Sequence, residues 1–232
     1  MQLPTGRGCC PAAGRRPGNP PQAVERNHMI PRVLVAAAIL AGPAASEVVV
    51  FQPDGALGKD SYTYEVQAGA NYGDADTLEC GFIGGGQRAV FIEFTELDDP
   101  QYEDVTVSSA YLSLYIRQTS ATGQIELGAV TTFWDELIIA WDNMPPVVWE
   151  RAVDTPVGSG WVNWDVTDIV QAWVDGTLDQ HGFSIWDTGI LPWFSAVSSD
   201  DAANPDWRPQ LVMSYTQTDF DQDTWGGLKT GI

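Results

Sequence analysis

The sequence predicts an all-β fold, an antiparallel β-sandwich of the jelly-roll kind with one short helix. Short segments in which apolar and polar residues alternate recur along the chain, as in strands that bury one face. Turn residues separate these segments at intervals of roughly 8–12 residues, a spacing typical of β-sandwiches. The 23 glycines and 15 prolines among 232 residues also favour many turns over long helices.

The clearest predicted strand lies near the middle of the chain, where Tyr111 and Tyr115 alternate with Leu112 and Leu114. Gly84-Gly85-Gly86 suits a hairpin turn between two strands. In chain order the predicted strands are Glu47–Gln52, Ser61–Val66, Thr77–Ile83, Arg88–Phe94, Val107–Gln118, Gln124–Val130, Val147–Val153, Trp161–Asp165, Phe183–Trp186, Trp193–Ser198 and Gln210–Tyr215.

One stretch, Trp161–Gly189, predicts a strand, a helix, a turn and a second strand in succession. Asp165 is placed to cap the helix, and Asp168 lies in its first turn, where the helix dipole favours a carboxylate. Gly176 is suited to end the helix. A helix this short needs packing to be stable, so we expect it to lie on the sheet. Its apolar stripe consists of Ile169, Val170, Trp173 and Val174.

Three regions are predicted along the chain. Residues 1–46 form a leader and signal peptide, residues 47–216 form the β-sandwich, and residues 217–232 form a C-terminal tail. The tail is interpreted either as an attachment or sorting element or as disordered chain. Cys9 and Cys10 lie in the leader, so the processed chain keeps one cysteine, Cys80, and no internal disulfide is expected.

The leader has the order of a secretory signal, in which a basic start precedes an apolar run and a small-residue cleavage site. Met29–Arg32, Val33–Ala41 and Ala44–Ser46 supply these parts, and the apolar run is too short to span a membrane. Residues 1–28 are either a wrongly assigned start upstream of Met29 or a disordered leader. The chain is therefore expected to be secreted, as a bacterial extracellular protein without a membrane span.

The charge of the sequence is strongly negative, −20 in total. Beyond residue 46 the chain holds six basic and 30 acidic residues, a net charge of −24. Binding of nucleic acid depends on Lys and Arg that displace counterions from phosphates, so this composition argues against it. Anionic membranes and polyanionic glycans are disfavoured for the same reason, unless a cation bridges the two surfaces.

Several motifs occur in one order and resemble the DNRLRE domain family, which overlaps carbohydrate-binding module family 96. The resemblance spans about residues 50–215 and implies a secreted β-sandwich module of the kind attached to polysaccharide-degrading enzymes. One position departs from it, because Glu93 stands where relatives place a basic residue, so a preference for anionic sugars does not carry over. The motifs are Asn71-Tyr72-Gly73, Arg88–Phe94, Ser109–Tyr115, Trp134-Asp135-Glu136, Trp141–Pro145, Trp161–Gly176 and Ser198–Tyr215.

No pattern of catalytic residues stands out, so the protein is not expected to be an enzyme. The processed chain has one histidine, His181, placed in a turn, and lacks the arrangement of a nucleophile triad. Asp135 and Glu136 are adjacent in sequence, and adjacent strand residues point to opposite faces. A pair of carboxylates for glycoside hydrolysis is therefore the least favoured interpretation.

Ten tryptophans in an acidic chain favour the binding of sugar rings, whose apolar faces stack on aromatic side chains. Four of them, which lie in the family motifs, are expected to be structural: Trp134, Trp141, Trp161 and Trp173. The predicted carbohydrate-binding residues are Trp186, Trp193, Trp149, Trp207 and Tyr72, with Trp186 and Trp193 as the leading pair because they bracket one loop. Trp164 is less tied to the motifs than the first four.

Clusters of loop acids provide the oxygen ligands that calcium prefers. The predicted metal ligands are Asp54, Asp60, Asp200 and Asp201, and a structural calcium is the expected cofactor. The alternative is that these acids only keep the surface soluble. Asp219–Asp223 has the opening spacing of an EF-hand loop but lacks its glycine and its final glutamate.

Together these patterns predict a secreted, non-catalytic module that binds a polysaccharide through exposed aromatic side chains. The alternative from another class is a structural or adhesive module of the cell envelope or extracellular space that binds protein partners. A polysaccharide lyase or hydrolase accessory with weak activity is the third interpretation.

Overall fold

Eleven antiparallel strands and one helix make up the part of the chain that the structure, a computed structural model, describes: residues 46–187, 189 and 192–217. The all-β prediction is confirmed. The predictions for the leader, for Cys9 and Cys10 and for Asp219–Asp223 in the tail lie outside the described residues. The elements are β1 (Glu47–Phe51), β2 (Lys59–Tyr64), β3 (Thr77–Ile83), β4 (Gly86–Glu93), β5 (Thr106–Thr119), β6 (Gln124–Val130), β7 (Val147–Asp154), β8 (Gly160–Asp165), α1 (Thr167–Val174), β9 (Phe183–Trp186), β10 (Trp193–Val197) and β11 (Gln210–Thr216).

The strands form one curled sheet whose two halves enclose the core in the manner of a β-sandwich. Its path runs β1-β11-β5-β10-β3-β4-β9-β6-β7, while β2 pairs with β4 and β8 with β5 off this path. The first half is therefore centred on β5 and the second on β4. The β10–β3 pair joins them.

The core lies between the two halves and is filled by the apolar face of each strand. Val90 and Ile92 from β4 meet Leu112 and Leu114 from β5 in one buried cluster. The helix adds its predicted stripe, Ile169, Val170, Trp173 and Val174, to the same cluster. The ring of Trp173 lies against Phe183, with ring centres 4.7 Å apart.

The helix begins and ends close to the predicted positions. The carboxylate of Asp165 accepts hydrogen bonds from the N–H and the hydroxyl of Thr167, the first helical residue, at 3.0 and 2.6 Å. At the other end Gly176 has φ +65°, a left-handed conformation that glycine adopts without steric cost. Within the described part of the chain, no helix is long and apolar enough to cross a membrane.

A second, smaller core lies on the outer face of β4, where the irregular segment 131–146 crosses the sheet. Trp134 packs on Phe91, and its indole N–H donates to the carbonyl of His181 at 2.9 Å. Ile139 from the same segment is also buried there. The segment is thereby fixed to the sheet although it contains no strand.

The expectation that four tryptophans are structural is met by two of them. Trp134 and Trp173 are buried, as expected. Trp141 is only partly buried, and Trp161 is 41% exposed. For Trp161 the expectation is wrong, because β8 points Val162 and Trp164 towards the core and turns Trp161 outward.

The burial of Phe183 yields a prediction about stability. Its side chain is fully buried beside Trp173, so Phe183→Ala should lower the free energy of unfolding by about 3–5 kcal/mol through lost burial and a residual cavity. Phe133→Ala removes the same group from a position that is 73% exposed and serves as the control. Urea unfolding should show a change of less than about 1 kcal/mol for the control. Equal losses in the two variants would contradict the assigned core.

Candidate functional site

A groove of about 240 Å³ lies on the outer face of the β4 half of the sheet. The strand residues that line its floor include the small side chains of Ala89 and Ser184. In the same row of the sheet, opposite Ser184, stands Gly128. Small residues on the strands therefore leave room that the crossing segment only partly fills.

The walls of the groove are apolar and carry two tryptophans. The segment 131–146 contributes Trp141, Met144 and Pro145, and the end of β9 contributes Trp186. Both tryptophans are partly buried, so their rings keep some surface for a ligand. A concave site with apolar walls and a few polar groups is typical of small-molecule and sugar-ring recognition.

Polar groups in the groove include acceptors that lack a partner. The side-chain oxygens Gln87 Oε1 and Asp187 Oδ2 are buried and have no hydrogen-bond partner among the described residues. The Gln87 amide nitrogen donates to the carbonyl of Gly189, and Asp187 Oδ1 accepts from the Gly189 N–H at 3.0 Å. These two side chains are thus held in place beside the groove by the Gly189 backbone.

A β-bulge shapes the rim of this groove. Leu127 pairs with Arg151 and Ala129 with Val148, so two residues of β7 lie opposite the single residue Gly128. One of them, Glu150, lines the groove, and the other, Trp149, is 47% exposed. Bulges often redirect side chains next to functional sites.

Trp149 has an unusual backbone conformation. Its φ is +56°, in the left-handed region that a bulky residue adopts at a cost of order 1–3 kcal/mol. Gly128 permits the close approach, since a Cβ there would lie 2.7 Å from a methyl group of Val147 and 2.9 Å from the carbonyl oxygen of Val148. Strain of this kind at an exposed aromatic residue points to a role other than folding.

The remaining predicted sugar-binding residues lie away from this groove. Strands β3 and β4 separate Trp193 from Trp186, so the leading predicted pair does not line one groove. Tyr72 stacks on Tyr62 at 4.3 Å and donates its hydroxyl to Gln67, so its ring packs within the fold. Trp207 stacks on Tyr115 on the β5 half of the sheet. Of the five, Trp186 lines the groove and Trp149 belongs to the bulge beside it.

A cluster of carboxylates forms the second candidate site. Oxygen atoms of Asp60, Glu136 and Asp200 all lie within 4.8 Å of one another. Two of these, Asp60 and Asp200, were predicted as metal ligands from the sequence. Carboxylate oxygens at this separation are suited to a hard cation such as calcium, which takes six to eight oxygen ligands.

The other two predicted ligands have different surroundings. The Asp201 carboxylate forms an ion pair with Arg117 and accepts hydrogen bonds from Asn204 and Ala203. Burial raises the pKa of Asp201, but these hydrogen bonds and Arg117 outweigh it and hold the pKa below its usual value. Asp54 is exposed, and its side chain accepts from the N–H of Ala56 within its own turn.

Glu136 is the member that the sequence analysis missed. Its Oε1 accepts from the backbone N–H of Asp60 at 2.7 Å, across 76 positions of sequence. Asn71 holds the Glu136 segment by donating to the carbonyls of Glu136 and Ile139 at 2.7 and 2.8 Å. The Asn71-Tyr72-Gly73 and Trp134-Asp135-Glu136 motifs therefore meet at this cluster.

Burial and mutual repulsion perturb the titration of the cluster. Burial raises the pKa of Asp60 to about 6, although Ser198 Oγ and the Ser199 N–H donate to its carboxylate at 2.6 and 2.8 Å. The pKa of Glu136 rises to about 7 through burial and the nearby charges of Asp60 and Asp200. Burial and Asp74 raise the pKa of Asp200, while Arg208 opposes the change. With its pKa near 7, Glu136 is still partly protonated at neutral pH.

Comparison with known sequences identifies the family. The profile of carbohydrate-binding module family 96 matches residues 55–215, more than two thirds of the chain. The chain belongs to carbohydrate-binding module family 96. A search of curated protein sequences finds no significant match to it.

Membership in the family bears on the class of ligand rather than on its place in the fold. Carbohydrate-binding modules are generally non-catalytic and act by holding a polysaccharide. The matched range contains the strands and the crossing segment that form the groove. It also contains all three carboxylates of the cluster.

The raised pKa values predict how stability depends on pH. Because the folded protein holds protons on Asp60 and Glu136 more tightly than the unfolded chain does, these groups contribute stability that is complete below about pH 4. That contribution declines as the pH rises through about 6 for Asp60 and about 7 for Glu136. Without a cation, the wild type should therefore lose stability over this range relative to Glu136→Gln.

The measurement is urea unfolding in EDTA between about pH 4 and pH 8. In Glu136→Gln the new amide oxygen can still accept from the Asp60 N–H, so the substitution removes the ionisable group while keeping the hydrogen bond. Glu103→Gln, the same change at an exposed residue outside the cluster, is the control and should follow the wild type. A difference between wild type and E136Q that stays constant over the whole range would contradict the raised pKa of Glu136.

Proposed function

We propose that this module binds a neutral polysaccharide in the groove formed by Trp141 and Trp186. Sugar rings would stack on the indole faces while hydroxyl groups donate to Gln87 and Asp187. The observation that carries the proposal is the coincidence, in one groove, of two partly exposed tryptophans with the polar side chains of Gln87 and Asp187. Family membership supplies the ligand class, and the groove supplies its place on the fold.

The charges of the groove favour a neutral chain over an anionic one. Asp187 and Glu150 line it and would repel a sugar carboxylate. Arg88 also lines it, but its guanidinium pairs with Glu79 at 3.1 Å and lies over the Tyr64 ring at 4.1 Å. Its Nε and Nη1 have no hydrogen-bond partner among the described residues, but Glu79 offsets its charge, and the two carboxylates of the groove outnumber it.

Three further cations of the described residues are engaged in a similar manner. Lys59 pairs with Glu93, Arg117 with Asp201 and Arg151 with Asp168. The carboxylate of Glu93, at the position where the family resemblance leads one to expect a basic residue, is therefore used to neutralise Lys59. An anionic polysaccharide would need bound cations to approach this surface.

We also propose that calcium binds the cluster of Asp60, Glu136 and Asp200 and stabilises the segment that carries Glu136. The support is the approach of three carboxylates from three separate parts of the chain. Calcium would replace the protons that these groups otherwise retain. Calcium would have a structural role here, because Glu136 and Trp141 lie on the same crossing segment. The position of that segment affects the groove wall.

We also propose that the module is exported. The signal-like order of Met29–Ser46 supports it. A module of the cell envelope that binds protein partners is the alternative function, and an accessory of a lyase or hydrolase is the third. The groove favours polysaccharide binding over binding of a protein partner, because it is concave and lined by two tryptophans and a few polar side chains.

Substitution of the groove tryptophans tests the proposed function. Trp186→Ala and Trp141→Ala should each weaken binding of a neutral polysaccharide at least about tenfold, equivalent to roughly 1.4 kcal/mol, because stacking area is lost. Titration calorimetry against soluble xylan, mannan and mixed-linkage β-glucan would identify a bound chain and measure the change. Alginate is the anionic comparison and should bind weakly in EDTA.

Phe133→Ala provides the matched control for this experiment, since it removes an exposed aromatic ring that does not line the groove. Urea unfolding should first establish that each variant has a midpoint close to that of the wild type. Wild-type affinity in both tryptophan variants would overturn the groove as the binding site. Preference for alginate in EDTA would overturn the neutral ligand.

Calcium binding is tested by thermal unfolding with added calcium or EDTA. Calcium at about 100 times its dissociation constant should stabilise the wild type by about 2.7 kcal/mol. Glu136→Gln should reduce this gain strongly because it removes one charged ligand, whereas Glu103→Gln should keep it. Equal stabilisation of both variants would show that calcium binds elsewhere.

A further inference from the structure

The outer face of the β5 half of the sheet exposes a second set of aromatic rings, on the opposite side of the core from the groove. Tyr111, Trp161 and Trp207 are 40%, 41% and 39% exposed. Tyr111 and Tyr115 lie on β5, and Trp161 stands directly opposite Tyr115 on β8. Residues that face each other on neighbouring strands lie on one face of a sheet, so these rings form a common surface.

Contacts among the rings fix their orientation before any ligand arrives. Trp207 stacks on Tyr115 with ring centres 4.3 Å apart and planes within 3°. Trp161 meets the same Tyr115 edge-on, at 5.7 Å and 88°. Because the rings support one another, binding on them costs less side-chain entropy than it would on isolated exposed residues.

Side-chain amides border the rings on both sides of β5. The register places Asn163 of β8 and Gln210 of β11 opposite the same residue, Ser113. Asn163 is exposed and Gln210 partly so, and each amide offers both donors and an acceptor to sugar hydroxyls. We call Tyr111, Tyr115, Trp161, Trp207, Asn163 and Gln210 the aromatic platform.

The platform differs from the groove in shape. It lies on the outer faces of β5 and β8, with Trp207 of the segment 205–207 stacked on Tyr115, and three of its rings are each about 40% exposed. A single flexible chain in water would gain little from such an open face. Chains already aligned in a solid would lose no further freedom on docking, so an open aromatic face suits them better.

We propose that the aromatic platform is a second carbohydrate-binding surface, which binds insoluble polysaccharide, while the groove binds single soluble chains. The inference rests on the proposed function for its ligand class, and it adds a site that the groove does not contain. Two sites on opposite sides of one module would let it hold a soluble chain against a solid. Simultaneous contact of this kind strengthens overall attachment without any new contact at either site.

The test compares three variants with the wild type on two kinds of polysaccharide. The platform variant is Trp161→Ala with Trp207→Ala, the groove variant is Trp141→Ala with Trp186→Ala, and Phe133→Ala is the control. Each is incubated with cellulose, chitin and curdlan particles, and separately titrated with the soluble chain that the wild type binds. Urea unfolding first establishes that each variant is folded under the assay conditions.

We expect the platform variant to lose at least tenfold in partition onto the particles while keeping wild-type affinity for the soluble chain. The groove variant should lose affinity for the soluble chain while keeping wild-type partition onto the particles. The control should match the wild type in both assays. Wild-type partition of the platform variant would overturn the platform, as would wild-type protein that stays in the supernatant with every particle.

Failure of the platform is thus separable from failure of the groove, which appears only in the soluble titration. A further outcome would also overturn the inference. If sedimentation shows that the wild type dimerises and that the platform variant does not, the face is an interface between copies of the chain.

Discussion

The packing of Trp134 on Phe91 is the interaction on which both candidate sites depend. It fixes a segment without strand structure against the outer face of the sheet, and its indole N–H is satisfied by the His181 carbonyl. After this anchor the segment first brings Glu136 to the carboxylate cluster and then places Trp141 in the groove wall. The residues 131–146 therefore connect the carboxylate cluster with the candidate groove.

This shared segment links the charge of the carboxylate cluster to the candidate groove. The chain carries a large negative charge, and the carboxylates that come closest together lie next to the segment that forms the groove. Neutralising them by protons or by a cation removes repulsion at the base of the segment. Any condition that changes the charge there should change how firmly the wall bearing Trp141 is held.

Local patterns in the sequence predict the strands and helix well, since alternation and turn residues are properties of neighbouring positions. Only two members of the carboxylate cluster were predicted, because Glu136 reaches Asp60 across 76 positions of sequence. Asp201 was predicted as a third ligand but instead pairs with Arg117, a contact that no local spacing reveals. Trp161 was misjudged for another reason. The alternation in β8 already places Trp161 and the buried Trp164 on opposite faces of the strand. That periodicity predicts burial better than membership of a motif does.

Trp149 gives a last consequence of the bulge opposite Gly128. Selection for folding alone would favour glycine or asparagine where the backbone is left-handed, since either relaxes the conformation. A large indole in so unfavourable a backbone conformation is a candidate for a role beside the groove rather than in folding. Mutational tolerance at that single position would thus report what the molecule is kept for, independently of any ligand assay.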